Sequence, residues 1–149
     1  MKKTVFLTGA TGNMGAAGLA ELLKKKDLYN IVLLARPSKV NKQKLAYLKD
    51  EESVKIVWGD LLNYDDILKC VTGADIVLHV GGMVSPQADY FPKRTIKTNT
   101  EAAKNIVKAV LAQPNKDEIK VVYIGTVAQT SDRNEPIHWG RTGDPICIS

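Results

Sequence analysis

The sequence lacks the residues and runs that mark membrane, secreted and metal-binding proteins. Its only cysteines, Cys70 and Cys147, have no cysteine or histidine at ligand spacing nearby, which argues against a disulfide framework and a zinc site. No apolar run approaches the ~20 residues of a membrane span, and the first hydrophobic run is too short for a signal peptide. These absences predict a cytoplasmic protein with reduced thiols, no bound metal and no membrane partner.

Acidic residues are outnumbered by basic ones, but the positive charge is dispersed. The formal net charge is +5, and the only lysine run covers residues 24–26, where a helix end is expected. A lysine-rich helix end is compatible with the helix dipole and needs no partner. We therefore expect no nucleic-acid partner. The remaining composition, 44% hydrophobic and 25% charged over 149 residues, is that of one soluble domain.

Five short apolar runs alternate with segments of helical periodicity. The runs cover residues 4–7, 31–34, 54–58, 76–80 and 119–124. Because they are hydrophobic throughout, we expect strands that are buried on both faces, as in a parallel sheet. Strands and helices that alternate in this way predict right-handed crossovers. The expected fold class is α/β, a doubly wound parallel sheet of about five strands with helices on both faces.

Four helices are predicted between the strands. Helical spacing gives one a shared face of Met14, Gly18, Leu19, Leu22 and Leu23. A second has a shared face of Ile96, Ala103, Ile106, Val107, Val110 and Leu111. Shorter helices are predicted over residues 64–71, between Asn63 as N-cap and Gly73 as stop, and over residues 40–49. From residue 129 onward the composition is that of a loop, so we predict a domain over residues 1–128 and a loop over 129–149.

A glycine-rich turn follows the first predicted strand and begins the first helix. It reads Thr8-Gly9-Ala10-Thr11-Gly12-Asn13-Met14-Gly15, or TGxxGxxG. Glycines there remove side chains that would block the turn, a phosphate or the helix–strand contact, and the helix N-terminus offers unpaired amides to a pyrophosphate. The motif therefore predicts dinucleotide binding rather than a turn without a ligand. The expected contact residues are Gly9, Thr11, Gly12, Asn13, Met14 and Gly15.

The residues after the second predicted strand favour NADP(H) over NAD(H). An NAD site usually has an Asp or Glu about 20 residues past the glycines, which binds the ribose 2′-hydroxyl. No acidic residue occurs between Asp27 and Asp50. Arg36 offers instead a guanidinium suited to a phosphate, and Ser38 and Lys39 add a hydroxyl and a second charge. NAD remains possible, because some sites accept either nucleotide and Arg36 can be a solvated loop charge.

The glycine motif resembles that of the short-chain dehydrogenase/reductase superfamily, and its tail, residues 12–15, resembles the extended, epimerase/dehydratase-like branch. Four further segments resemble this family in the same order, at residues 58–61, 74–82, 97–110 and 121–130. The resemblance implies a Rossmann-type NAD(P)-binding domain in which Asp60 receives the adenine amino group. It also implies cofactor contacts from Leu61, Val80, Gly81, Gly82 and Asn99.

Catalysis in this superfamily uses a tyrosine, a lysine four residues later and a Ser or Thr. Thr126 follows the fifth strand and is the candidate catalytic hydroxyl, although a strand-end threonine can also be purely structural. No tyrosine of this chain has a lysine four residues later. Family spacing puts the tyrosine at or past Ser149. The resemblance therefore implies the N-terminal portion of a longer protein, without its catalytic helix and substrate-binding region.

Two histidines and an acidic pair are weaker candidates for chemistry. His79 lies within the fourth strand, where a packed, hydrogen-bonded role is favoured over acid–base catalysis. His138 lies in the C-terminal loop with no identifiable partner. Asp65 and Asp66 are adjacent, so a helix directs them differently, and capping and solvation explain them better than paired carboxylate chemistry.

Together these features predict the cofactor-binding part of an NADP(H)-dependent reductase or of a sugar-nucleotide epimerase or dehydratase. Its substrate would be a small carbonyl or alcohol compound or a nucleotide sugar. The chain alone is expected to bind the cofactor without turnover, and an unpaired sheet edge favours a homodimer. The alternative is a non-catalytic dinucleotide-binding sensor or interaction module. Flavin- and S-adenosylmethionine-binding proteins also use glycine-rich turns, but the resemblance around Asp60 and Asn99 argues against them.

Overall fold

The computed structural model describes residues 1–126, which form one layered α/β unit. Its strands are β1 (Lys3–Thr8), β2 (Tyr29–Ala35), β3 (Val54–Trp58), β4 (Ile76–His79) and β5 (Lys120–Tyr123). They pair in parallel in the order β3-β2-β1-β4-β5. The Rossmann-type fold predicted from the sequence is confirmed.

Five helices connect these strands. They are α1 (Asn13–Leu23), α2 (Lys39–Lys44), α3 (Tyr64–Val71), α4 (Gln87–Tyr90) and α5 (Pro92–Leu111), and a short 3-10 helix (Ala46–Leu48) follows α2. The bounds of α3 agree with the prediction, because the Asn63 side chain accepts a hydrogen bond from the Asp65 amide at 3.0 Å and Gly73 adopts a φ of +77°.

The prediction of one continuous helix over residues 40–49 is wrong. Leu45 leaves the helical conformation, with φ −102° and ψ 4°, and separates α2 from the 3-10 helix. This break lets Leu45 and Leu48 both become buried against the sheet. The α4 helix was not predicted, because four residues are too few to show a hydrophobic period.

Two hydrophobic cores lie on opposite faces of the sheet. Successive residues of a strand point to opposite faces. Phe6 packs in one core with Ile67 of α3 and Ile106 of α5, and Leu7 packs in the other with Leu19 of α1 and Leu48. Burying one such side chain contributes about 1.5–3 kcal/mol. The helices therefore cover both faces, as expected.

The predicted helix faces are correct only in their central parts. Leu19 of α1 and Ile106 and Val110 of α5 are buried, but other members of the same predicted faces are exposed. The exposed ones are Met14, Ile96, Val107 and Leu111. Periodicity assigns a residue to a side of a helix, but it does not show how far along the helix the neighbouring sheet extends.

The expectation that every strand is buried on both faces is wrong for β3, in which no residue is fully buried, and for β5. All four of its residues are exposed, whereas Ile119, directly before the strand, is buried in the core. Among the described strands β5 pairs only with β4 and therefore lies at the edge of the sheet. A continuous apolar run does not show which strand takes the edge position.

No helix in residues 1–126 combines the length and the apolar character that crossing a membrane requires.

Candidate functional site

The candidate site lies where β1 and β4 end, at the point where the strand order reverses. After β3 the chain crosses the sheet, so that β4 pairs with β1 on the side opposite β2. In open α/β sheets, ligands bind outside the carboxyl ends of the strands at such a switch point.

Two of the three motif glycines are required by contacts within the protein. Gly9 has a φ of +78°, and a Cβ there would lie 2.7 Å from the Cα of Gly81. A Cβ on Gly15 would overlap the carbonyl group of Gly9. The turn is therefore packed, backbone against backbone, between the end of β4 and the start of α1.

Gly12 differs from the other two glycines, because the protein leaves room for a side chain there. A Cβ would lie 3.4 Å from the Gly9 oxygen, an ordinary contact, and Gly12 is exposed. The missing side chain at Gly12 therefore keeps space clear on the open side of the turn. A phosphate group that approaches the helix would use this space.

The N-terminus of α1 has the features of an anion site. Gly12 is its N-cap and provides no side chain to bond the first amides, and no acidic residue lies in the first turn. The amides of Asn13, Met14 and Gly15 belong to that turn, whose backbone N–H groups lack intrahelical acceptors and carry partial positive charge. These residues fit a pyrophosphate.

The Thr8 hydroxyl joins the ends of β1 and β4. Its Oγ1 accepts hydrogen bonds from the Val80 amide at 3.1 Å and the Gly81 amide at 2.9 Å, and lies 2.8 Å from Nδ1 of His79. Because the hydroxyl has one hydrogen and already accepts twice, it donates to Nδ1, which leaves the proton of the neutral ring on Nε2. Burial lowers the pKa of His79. His79 thus has the hydrogen-bonded structural surroundings that the sequence favours.

The segment after β4 is fixed from α5. The Asn99 side chain accepts a hydrogen bond from the Met83 amide at 2.8 Å and donates one to the Met83 carbonyl at 3.0 Å. A Cβ on Gly82 would lie 3.2 Å from the Asn99 Oδ1, and one on Gly81 would lie 3.0 Å from the Thr8 Oγ1. An alanine at either position would need these neighbours to shift.

The turn after β3 contributes a further wall of the site. Asp60 is exposed, and its Oδ1 accepts a hydrogen bond from the Leu62 amide at 2.8 Å. The Cδ1 of Leu61 would lie 3.2 Å from a Cβ on Gly81. The structure therefore brings the ends of β3 and β4 and the glycine turn together, as the sequence predicts. Asp66 and Asn105, which hold this turn, were not among the predicted site residues.

Arg36 directly follows β2, with a fixed backbone and an exposed side chain. Its carbonyl accepts hydrogen bonds from the Ser38 amide at 2.8 Å and the Asn41 side chain at 3.0 Å. The Ser38 hydroxyl caps α2 by accepting from the Asn41 amide at 3.1 Å. Ser38 therefore has a structural role that the sequence did not indicate, although its hydroxyl hydrogen can still be donated.

Lysines of α2 add positive charge beside Arg36. The Lys44 Nζ donates a hydrogen bond to the Thr11 carbonyl of the glycine turn at 2.8 Å, and the Lys42 Nζ lies 5.9 Å from the centre of the Trp58 ring. Lys42 and Lys39 border a shallow depression next to Pro37. Residues 28–49, which include Arg36 and α2, contain no carboxylate to oppose this charge.

Thr126 follows the end of β5 and is exposed. Because β5 is parallel to β4, Thr126 and Val80 both lie beyond the carboxyl ends of their strands, on the same side of the sheet. His138, Cys147 and the predicted loop over 129–149 lie outside the described residues. Within residues 1–126, no cluster of three or more His, Cys, Asp or Glu side chains could hold a metal ion.

Comparison with known sequences identifies relatives for most of the chain. A family model described as "NAD dependent epimerase/dehydratase family" matches residues 5–144. The UDP-glucose 4-epimerase of Rickettsia bellii (strain RML369-C) is 31% identical over 128 residues, which cover 83% of this chain and 36% of that protein. The UDP-glucose 4-epimerase of Rickettsia akari (strain Hartford) is 30% identical with the same coverage. The chain thus spans 36% of the length of these curated relatives.

Comparison with solved structures gives the same architecture. The dTDP-glucose 4,6-dehydratase of Bacillus anthracis, in complex with NAD, matches with a TM-score of 0.77 and 13% identity, over 99% of this chain and 44% of that one. The enzyme WbmH of Bordetella bronchiseptica, in complex with NAD+, matches with a TM-score of 0.66 and 22% identity, over 87% of this chain and 41% of that one. At these identities the likeness establishes the fold.

Proposed function

The chain belongs to the NAD-dependent epimerase/dehydratase family, and from this premise we propose that its switch-point cleft binds NADP(H) as part of a longer nucleotide-sugar epimerase or dehydratase. The observation that carries the proposal is the turn at Gly9, Gly12 and Gly15, which fits a pyrophosphate. Two glycines pack the turn against β4 and α1, and Gly12 keeps its open side clear.

Each wall of the cleft has a distinct role in this proposal. The amides at the start of α1 bind the pyrophosphate, and Asp60 accepts a hydrogen bond from the adenine amino group. Val80, Gly81 and Gly82 border the nicotinamide half, next to the segment that Asn99 holds. The bound cofactor would supply a hydride acceptor or donor. Thr126 would donate a hydrogen bond to the substrate oxygen.

The preference for NADP(H) is the finer part of the proposal. The solved structures of similar fold hold NAD. Here Arg36 directly follows β2, where an NAD site usually has a carboxylate, and the α2 lysines come next in the chain. A 2′-phosphate would meet a guanidinium, whose fixed fork suits phosphate oxygens. Both nucleotides share the pyrophosphate site, so the family assignment does not depend on this preference.

The substrate and the reaction belong to the longer protein. The named curated relatives are UDP-glucose 4-epimerases, which supports a nucleotide sugar as substrate. A reductase acting on a carbonyl or alcohol compound would use the same cofactor half. The acid–base pair is proposed to lie outside these 149 residues, because no tyrosine here has a lysine four residues later. The second candidate function, a non-catalytic dinucleotide sensor, would use the same cofactor site.

The proposed cofactor site is tested by comparing two glycine-to-alanine variants of α1. Gly12→Ala places a methyl group where the protein has room but a phosphate would approach, so we expect at least tenfold weaker NADPH binding (~1.4 kcal/mol) with an unchanged melting temperature. Isothermal titration calorimetry measures the affinity, and thermal unfolding checks the fold.

Gly18→Ala is the matched control, because a Cβ at Gly18 meets nothing within 4 Å. It should bind NADPH as the unaltered chain does. Equal affinity of the Gly12→Ala variant and the unaltered chain would show that the phosphate does not lie at this turn. Measurable turnover of a nucleotide sugar by the 149-residue chain would contradict the location of the acid–base pair.

A further inference from the structure

The turn after β3, residues 59–62, is held by side chains from two helices that lie outside the glycine motif. Asp66 of α3 contacts its first half and Asn105 of α5 contacts its second half. Neither residue was singled out for binding by the sequence, which favours solvation and capping for Asp66. Both contacts converge on the segment that carries Asp60.

Asp66 holds the start of the turn. Its Oδ2 accepts a hydrogen bond from the Asp60 amide at 3.2 Å. A Cβ on Gly59 would overlap the same carboxylate, so Gly59 is needed for this close approach. Lys69 lies 3.5 Å from the other oxygen, and the Asp66 side chain is only 18% exposed. The carboxylate is therefore fixed between its own helix and the turn.

Asn105 holds the end of the turn. Its Nδ2 donates to the carbonyl of Leu61 at 3.2 Å and to that of Leu62 at 3.3 Å. Its neighbour Ile106 is fully buried in the core that also contains Ile67 of α3. Because that core packs α3 against α5, the two helices hold Asp66 and Asn105 in a fixed relation.

The turn is thus bonded at most of its backbone groups before any ligand arrives. Within it, the Asp60 Oδ1 accepts from the Leu62 amide at 2.8 Å, and the Asp60 carbonyl accepts from the Asn63 amide at 3.0 Å. The Oδ1 atom of Asp60 therefore shapes the turn. The Oδ2 atom is a second acceptor on the same exposed carboxylate. A turn fixed in advance does not have to be ordered when a ligand binds.

We propose that Asp66 and Asn105 are positioning residues for the adenine half of the dinucleotide. They act through the turn, by holding Asp60 and Leu61 in one geometry at the wall of the cleft. This inference rests on the proposed function, because it assumes that a dinucleotide occupies the cleft. It predicts that losing either residue weakens the binding of the adenine half of the dinucleotide and leaves the binding of the nicotinamide half unchanged.

The experiment uses two variants of the 149-residue chain and two halves of the cofactor. Asn105→Asp keeps the side-chain shape but replaces two donated hydrogen bonds by repulsion of the Leu61 and Leu62 carbonyls. Asp66→Ala removes the acceptor of the Asp60 amide. For both, we expect about tenfold weaker binding of ADP-ribose, with or without a 2′-phosphate, and nicotinamide mononucleotide binding within about twofold of the unaltered chain.

Two further variants separate positioning from a general loss of structure. Asp65→Ala removes an exposed carboxylate next to Asp66 in the same helix and should change neither affinity. Asp66→Asn retains a carbonyl acceptor and should restore most of the ADP-ribose affinity. Equal weakening of both cofactor halves, or no weakening of either, would overturn the inference.

Amide hydrogen exchange in the ligand-free chain tests the role of Asp66 without an affinity measurement. In the ligand-free chain, the amide hydrogen of Asp60 should exchange faster in Asp66→Ala than in Asp65→Ala, as observed by NMR. Equal exchange in both would overturn the proposed role of Asp66. If the unaltered chain bound no dinucleotide and neither half, the proposed function would fail together with this inference. Normal NADPH binding with unchanged fragment affinities would overturn the inference alone.

Discussion

Arg36 has an anchored backbone and an exposed guanidinium at the end of β2, next to the lysines of α2. If this guanidinium binds a 2′-phosphate, Arg36→Ala should weaken NADPH binding at least tenfold (~1.4 kcal/mol) and leave NADH binding nearly unchanged. Isothermal titration calorimetry with both nucleotides measures the difference.

The control for this prediction is Arg94→Ala, because Arg94 is also exposed but lies on α5. It should affect neither nucleotide. NADH binding that equals or exceeds NADPH binding in the unaltered chain would refute the nucleotide preference.

His79 makes the stability of the fold depend on pH. Burial lowers its pKa from the ordinary value of 6.5. Below that value an unfolded chain takes up a proton at this residue while the folded chain does not, so stability is fully present above pH 6.5 and falls as the pH decreases. We expect the free energy of unfolding, measured by urea titration, to decrease from pH 7.5 to pH 5.5.

Two variants identify the group responsible. His79→Gln should flatten the pH dependence, and the same titration of His138→Gln measures the contribution of the other histidine. Glu51 does not titrate in this range, because a hydrogen bond from Lys26 lowers its pKa to about 2. An unaltered slope in His79→Gln would mean that the proton is taken up elsewhere.

At the level of single residues, the sequence predicts the parts of the site that are adjacent in the chain. The spacing of Gly9, Gly12 and Gly15 predicts the turn, because the three glycines lie in one short segment between a strand and a helix. The contact of Gly9 with Gly81 is not part of that segment and is seen only in the structure. Asp66 and Asn105 could not be found in this way. Their hydrogen bonds join elements that are distant in sequence, and no spacing rule connects an asparagine of α5 to a carbonyl after β3.

At the level of elements, short-range signals are sufficient to predict a helix that has its own N-cap residue and its own C-terminal glycine. The α3 helix was predicted residue for residue from Asn63 and Gly73. The α2 segment was not, because tertiary packing of Leu45 and Leu48 broke a regular helical pattern. Such packing depends on the sheet beneath, which a local pattern does not contain.

The long helix α5 links two walls of the cleft. Asn99, near its start, holds the segment after β4, and Asn105, further along, holds the turn after β3. The buried residues between and beyond them attach the helix to the core. A displacement of α5 would therefore move both loops together, and the distance between these two walls of the cleft would be preserved.

At the level of the whole molecule, β5 leaves an apolar edge exposed. Val121, Val122 and Tyr123 are exposed, and the strand pairs with β4 alone among the strands described. Unpaired strand edges favour pairing with another chain. We expect the 149-residue chain to form dimers in a concentration-dependent manner, as measured by sedimentation velocity.

Val122→Lys places a charge on this edge and should shift the population toward monomer without changing the circular dichroism spectrum. Lys116→Ala, which removes a charge from the loop before β5, serves as a control and should not change the association. A single monomeric species at all concentrations of the unaltered chain would contradict the expectation of a homodimer.

The contact between Gly9 and Gly81 also has a consequence for how the protein is made. The glycine turn leaves the ribosome early, but its partner on β4 is synthesised more than 70 residues later, and the Thr8 hydroxyl bonds the Gly81 amide across 73 positions. The nascent chain therefore carries the whole glycine motif long before it has a cleft. During translation, the cofactor would therefore bind only once β4 has paired with β1.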